Sequence, residues 1–373
     1  MKVLKRWMCT LLSMLLLCSP LLFVSCKDDQ GLEFKKLSDG TYGVKMKADD
    51  PIYLEEITIP KKYKGKAVTE ILEEGFKDAP RLKKINIPNS VTTIGESAFY
   101  GCDELESVTI PDSVTDIGNS VFARCSNLES VTLGTGLKTI DSYAFRECSN
   151  LSNIVIPNGV TVIGDYAFAY CSKLAEITLP DSITTIDTHA FAVCKALTQI
   201  SIPNNVTHIG LSAFFGCSNL VGTTYKDAIY LGNSQNPYLY LWKATSKEIT
   251  SATVHHQTKM IGSSAFKGCQ ELINLPLGNS VESIFDRAFS DCKKLRTVII
   301  PISVTKIGQY LCSGCESFDT VYYAGTPEEW KKIEIESENE EFNNATVYYY
   351  SESQPTMSGN YWRYVNDIAT AWK

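Results

Sequence analysis

The chain has 373 residues, 44% of them hydrophobic and 21% charged, which is the balance of a folded protein and excludes a disordered one. A formal charge of −7 without any basic stripe excludes nucleic acid as a partner. Thirteen cysteines raise the question of a disulfide framework, and their spacing decides it below.

Residues 1–25 carry Lys2, Lys5 and Arg6, no acidic group, and an apolar run from Trp7 to Val24. A run of about 18 residues is close to what would span a bilayer, but its position and flanks read as a secretory signal peptide. The ending Leu22-Phe23-Val24-Ser25-Cys26 resembles a bacterial lipobox, with Phe23 where an aliphatic residue is usual. That resemblance implies that residues 1–25 are removed and that Cys26 is lipidated. Lys27-Asp28-Asp29 resembles the acidic tag that sends lipoproteins of some Gram-negative bacteria to the outer face. Together these imply a cell-surface lipoprotein of the bacterial outer membrane, held to the membrane by its N-terminal lipid alone.

Residues 26–56 are read as an N-terminal cap. Asp39-Gly40 separates alternating apolar residues in Leu32–Leu37 and Tyr42–Met46, the pattern of a hairpin. The repeats begin at Ile57-Thr58-Ile59-Pro60, an atypical unit with five extra residues before Val68 and Ala79 in place of a later cysteine. From Leu82 the period is fixed. Windows starting at Leu82, Leu105, Leu128, Leu151, Leu174 and Leu197 read L-x-x-[IV]-x-[IL]-P-x-x-[VI]-T-x-I-[GD]-x-x-A-F-x-x-C, with their cysteines 23 residues apart from Cys102 to Cys217. Such a period predicts a leucine-rich repeat solenoid, because no unit of this size buries its apolar set alone.

Within each unit, Ile85 and Ile87 alternate with Lys84 and Asn86, which predicts a short strand with one face inward. Pro88 and its counterparts at 111, 157, 180 and 203 lack an N–H and end that strand. Val91-Thr92-Thr93-Ile94 predicts a second, shorter strand, and Ser97-Ala98-Phe99 a turn or single helical coil. The predicted fold is therefore parallel β rows joined by turns and short helical coils, with little long helix. The outward positions Lys84 and Asn86, Ser107 and Thr109, Ser130 and Thr132, Asn153 and Val155, Glu176 and Thr178, Gln199 and Ser201 form rows. Thr109, Thr132 and Thr178 are candidate binding residues there, since solenoids bind through extended faces of this kind; a plain solvated sheet accounts for the same composition.

The period breaks for 29 residues, 220–248. Ala228–Gly232 and Tyr238–Trp242 flank a polar turn, predicting an inserted hairpin that projects from the stack. Strand alternation puts Tyr238, Tyr240 and Trp242 on one face and Leu239 and Leu241 on the other. If the leucines face inward, Tyr230, Tyr238, Tyr240 and Trp242 form an aromatic binding patch; alternatively these rings pack back on the solenoid, as large aromatics usually do. Windows resume at Ile249, Leu272 and Leu295, with Cys269, Cys292 and Cys315 in phase, so the solenoid is assigned to 57–317. Residues 318–373 are read as a C-terminal cap and tail. There Thr326-Pro327 starts a short helix and Thr346–Tyr350 forms a strand.

The I-x-I-P, V-T-x-I-G and A-F-x-x-C elements over residues 57–317 resemble those of the BspA-like family of bacterial leucine-rich repeat surface proteins. The resemblance implies adhesion to host proteins and other cells.

Cys9 and Cys18 leave with the leader, Cys26 takes lipid, and nine of the remaining cysteines fall one per repeat. Neighbouring rungs lie about 4.8 Å apart, within disulfide reach, but in-register side chains point the same way, so a buried free-thiol ladder is predicted. Cys312-Ser313-Gly314-Cys315 is a C-x-x-C without a redox or four-ligand zinc context, and Cys312 stands at a phenylalanine position of the core. His189, His208, His255 and His256 match no metal-binding array; His255-His256 reads as a solvated turn and Glu340-Glu341 as a solvated loop. No nucleophile motif, phosphate loop, metal set or cofactor fingerprint occurs. The sequence points to a non-catalytic adhesion or binding lipoprotein with a protein or glycan partner on host or neighbouring cells. A surface spacer or assembly scaffold is the alternative.

Overall fold

A computed structural model describes residues 31–47, 54–356 and 358–372, and Gly31–Lys373 form one compact unit. The signal peptide and Cys26 expected from the sequence lie outside the described residues. The fold is a β-solenoid of about 13 turns with 23-residue spacing and almost no helix.

Each rung contributes to two rows of strands. In the first row Glu56–Thr58, Lys84–Asn86, Ser107–Thr109 and Ser130–Thr132 pair in parallel, and Asn153–Val155 pairs with Glu176–Thr178. One central residue per strand, such as Ile85, Val108 or Ile154, points inward and is buried. The second row runs from Thr139–Ile140 through Val162–Ile163 and Thr185–Ile186 to His208–Ile209, with each isoleucine buried.

A turn, not a helical coil, joins the second strand to the next rung. Ser97, Ser120, Tyr143, Tyr166 and His189 open these turns with φ between 53° and 61°, and Gly101, Arg124, Glu147 and Tyr170 follow four residues after the first four with φ between 63° and 68°. Such left-handed backbone costs a non-glycine residue about 1–2 kcal/mol. Hydrogen bonds to the next rung offset it. Phe99 N–H donates to Val121 O at 2.9 Å, and Phe122, Phe145 and Phe168 repeat the bond at 2.8 Å to Ala144, Ala167 and Ala190. The intervening amides close the turn itself, Tyr100 to Ser97 O and Cys102 to Phe99 O. Every other N–H thus points along the stack, leaving few buried backbone donors unpaired.

This register places identical side chains above one another. Phe76, Phe99, Phe122, Phe145, Phe168, Phe191 and Phe214 stack with centroids 5.2–5.8 Å apart and planes within 11°. Truncating one such buried ring costs about 3–5 kcal/mol. Beside them run the thiols. In eight rungs Sγ donates to the carbonyl of the phenylalanine 26 residues earlier, at 3.0–3.1 Å, as from Cys125 to Phe99 and from Cys171 to Phe145. All ten cysteines of the described residues are free and buried, Cys312 and Cys315 included. Burial pushes Cys217 and Cys269 up to about 11, and raises Cys148, Cys171 and Cys194 well above the ordinary thiol value.

Both ends of the stack are closed. At the start, Leu32–Lys36 pairs antiparallel with Tyr42–Met46, which pairs in parallel with Lys66–Ile71. At the other end, the helix Pro327–Trp330 begins with a capping box between Thr326 and Glu329. The reading of Glu340-Glu341 as a solvated loop is corrected: Glu340–Asn344 is a helix, and Glu341 accepts from Gly314 N–H at 3.0 Å. Its neighbour Asn339 is buried, accepting from Leu311 N–H at 2.8 Å and donating to Gly308 O at 2.8 Å. In a regular rung the equivalent groups close the turn on each other, as Ala98 N–H does on Gly95 O; here the Asn339 side chain bridges them, and Glu341 takes the place of the next rung's carbonyl at Gly314.

Because the thiolate is the reactive form and burial disfavours it, the native protein should label slowly with a thiol reagent at pH 8. In denaturant the ten thiols of residues 31–373 should all label. Mass spectrometry under non-reducing conditions checks this; most of them found in disulfides would contradict it.

Candidate functional site

The outward face of the first strand row is an extended polar surface. Ser130 lies beside Ser107 and Thr132 beside Thr109, while Asn153 lies beside Glu176 and Val155 beside Thr178. Thr109, Thr132 and Thr178 are all exposed, so the sequence-derived row is open to solvent. Its hydroxyls repeat at the spacing of the rungs, offering adaptable hydrogen bonds but little apolar anchorage.

The 220–248 segment differs from the expectation. It does not project. Thr223–Tyr225, Ala228–Leu231 and Tyr240–Ala244 pair antiparallel, and Tyr240-Leu241 then pairs in parallel with Met260-Ile261 of the next rung. The hairpin is itself a rung, with core on both sides. Leu231, Leu239 and Tyr240 join the core of the preceding rungs, whereas Tyr230 and Leu241 join that of the following ones. A strand covered on both faces buries both alternating sets, and the register shifts at Ile229/Tyr230. Tyr230 and Tyr240 are accordingly 0% and 3% exposed, and their assignment as binding residues is withdrawn. Tyr230 Oη accepts from His255 N–H at 3.2 Å, and burial pushes the phenol up to about 12.

Tyr238 and Trp242 are half-buried. Tyr238 stacks on His255 with centroids 3.7 Å apart, and Lys243 Nζ stands 3.9 Å from the Trp242 ring centre. His255 is therefore buried among aromatics instead of forming the solvated turn expected of it, and burial pushes its pKa down. Among the described residues no three His, Cys, Asp or Glu side chains converge to hold a metal, and no helix is long and apolar enough to cross a membrane.

Sequence comparison then decides the family. The pattern of the BspA type leucine rich repeat region matches residues 50–174, 138–234 and 240–352, well over half of the chain. The chain belongs to the BspA-type leucine-rich repeat family. Among solved structures, a leucine rich cell surface protein from Faecalibacterium prausnitzii A2-165 is 27% identical, with a TM-score of 0.50, over 86% of this chain and 99% of the other. A leucine-rich repeat protein from Bacteroides ovatus ATCC 8483 is 24% identical with a TM-score of 0.39, over 86% of this chain and 98% of the other. No curated protein matches.

In this BspA-type chain the strand row changes character toward its C-terminal end, which the sequence reading missed. Pro276, Ile299, Tyr322 and Tyr348 succeed one another in register on the outward face. Trp362, on the strand Tyr361–Val365, is fully buried and donates from Nε1 to Tyr323 O at 2.7 Å. Tyr322, Tyr350 and Tyr364 surround its ring at centroid distances of 5.3, 5.2 and 4.9 Å. Tyr350 and Tyr364 remain 39% and 52% exposed. The run Tyr348-Tyr349-Tyr350 and the pair Tyr361-Trp362 were the available signals, but nothing periodic links them.

This burial pattern separates two tyrosines. Tyr240→Ala should destabilise the protein by about 3–5 kcal/mol in chemical denaturation, by analogy with other large buried rings. Tyr364→Ala should change stability by no more than about 0.5 kcal/mol if that half-exposed ring is dispensable to the fold. A loss for Tyr240→Ala as small as that for Tyr364→Ala, below about 1 kcal/mol, would mean that the hairpin is not a core rung.

Proposed function

We propose that this BspA-type protein is a non-catalytic cell-surface recognition protein. On this reading residues 1–25 are the signal peptide, and Cys26 holds the mature chain to the bacterial outer membrane by lipid. The strand row then meets a protein or glycan on a host or neighbouring cell. The observation that carries the recognition reading is the row itself: Thr109, Thr132 and Thr178 open to solvent on parallel strands, and the same row ending in Tyr322 and Tyr348 beside Tyr350 and Tyr364. Interface energy concentrates in a few aromatic side chains, with surrounding polar groups giving complementarity. Tyr350 and Tyr364 would be the anchors, with the threonines as adaptable contacts. Tyr238 and Trp242 add contact area only at their open edges. Family membership supports this role, as does similarity to a protein described as a cell surface protein.

Bacteria producing the protein should incorporate labelled palmitate into it, and Cys26→Ser should abolish the label. The same cells should adhere to immobilised extracellular-matrix proteins or mucin better than cells lacking the protein. The double substitution Tyr350→Ala and Tyr364→Ala should weaken that adhesion about 10-fold, equivalent to about 1.4 kcal/mol, and Thr109→Ala with Thr132→Ala should weaken it less. Equal adhesion with and without the protein would contradict the proposal.

A further inference from the structure

A surface that repeats at every rung offers many equivalent places and no unique one, so the interrupted rung is where a distinct site can form. The turns after the first-row strands carry polar residues, and at some regular rungs the neighbouring rung engages them. Asp112 accepts from Thr135 N–H at 2.8 Å and from its hydroxyl at 3.0 Å. Ser182 accepts from Gly159 N–H at 3.1 Å and donates to Val160 O at 2.7 Å. After Pro203 the next rung is the hairpin, and its turn lies against the Pro203–Asn205 turn out of the 23-residue phase: Asn204 meets Gln235, 31 residues on.

A cleft of about 360 Å³ lies here, lined by Asp181, Asn204, Asn205, Asn233 and Gln235 together with Leu179 and Pro203. Its amides are held in place by the protein. Asn233 Nδ2 donates to Ile202 O and to Asn204 Oδ1, both at 2.8 Å, while its own Oδ1 accepts from the amides of Gln235 and Asn236 at 2.9 Å. Asn204 Nδ2 donates to Gln235 Oε1 at 2.9 Å, and Asn205 Nδ2 to Asp181 O at 2.8 Å. Among the described residues this leaves without partners the Gln235 Nε2 donors, the Asn205 Oδ1 acceptor and the Asp181 carboxylate.

We infer that this cleft binds a neutral sugar residue. Fixed amide donors set beside a carboxylate and an amide oxygen match adjacent hydroxyls, each of which donates and accepts at once. No lysine, arginine or histidine lines the cleft, which argues against phosphate, sulfate or a sialic carboxylate. Leu179 and Pro203 are themselves buried, so the cleft is predominantly polar, as hydroxyl recognition requires. The volume lies near the lower end of the roughly 300–1,000 Å³ usual for ligand sites, which suits one or two rings better than a protein loop. The inference rests on reading the molecule as a recognition protein, and not on which partner the strand row meets.

Saturation-transfer NMR on the purified protein, with a panel of neutral methyl glycosides of glucose, galactose, mannose, fucose and N-acetylglucosamine, tests the assignment. At least one should receive saturation, and Asp181→Ala with Gln235→Ala should weaken its binding at least 10-fold. Those two substitutions spare Asn233, whose side chain ties the hairpin to Ile202. Lys293→Ala, an exposed residue outside the cleft, should leave sugar binding unchanged. No transfer to any glycoside, or unchanged binding by the cleft variant, overturns the sugar site. Adhesion by the cells would then still stand or fall by itself.

Discussion

Hydrogen bonds donated along the stack, from alternate amides of each turn to carbonyls of the next, constrain the rest of the molecule. They allow two left-handed residues per rung, as at Tyr143 and Glu147, where an isolated peptide would avoid them. In the regular rungs they also bring a phenylalanine over the one before it and, in eight of them, a thiol within reach of a phenylalanine carbonyl. A residue added within a strand or its turn would set isoleucines, ring and thiol out of line, whereas the five extra residues of the first rung lie before Val68 and leave Phe76 stacked on Phe99. The cysteine suits its position because it is small, apolar and able to donate one weak hydrogen bond.

The same dependence makes every break in the period a structural problem with a local solution. At the C-terminal end Asn339 replaces backbone partners with a side-chain amide, and Glu341 caps Gly314. At 220–248 the hairpin carries one core on each side, and Cys269, lacking a phenylalanine carbonyl behind it, instead lies 3.7 Å from Ser246 O. These are also the places where the surface ceases to repeat. The open amide cleft lies at the hairpin and the aromatic group around Trp362 at the C-terminal end, while in the regular rungs before the hairpin the outward row is mostly of polar side chains.

Much of this was legible in the sequence because periodic residues report their own environment. Ile85, Phe99 and Cys102 face inward as their spacing requires, and Thr109 and Thr132 face outward. The interruption was not legible for a physical reason: alternation separates an inner from an outer face only when one face is solvated. Tyr240 and Leu241 both meet core, and the irregular register at Ile229/Tyr230 disturbs the alternation further. His255 and Glu341 likewise looked solvated because their partners, Tyr238 and Gly314, lie on other elements. The group around Trp362 depends on the parallel pairing of Tyr350 with Trp362, which no local pattern encodes.

Residue-resolved hydrogen exchange measures the inter-rung turn bonds most directly. The amides of Phe99, Phe122, Phe145 and Phe168 should exchange only through cooperative unfolding of the array, with protection comparable to that of the strand amides at Ile94 and Ile140. Exchange of those four amides at the rate of a solvated loop amide, with the strands still protected, would show that the turns do not hold the rungs together.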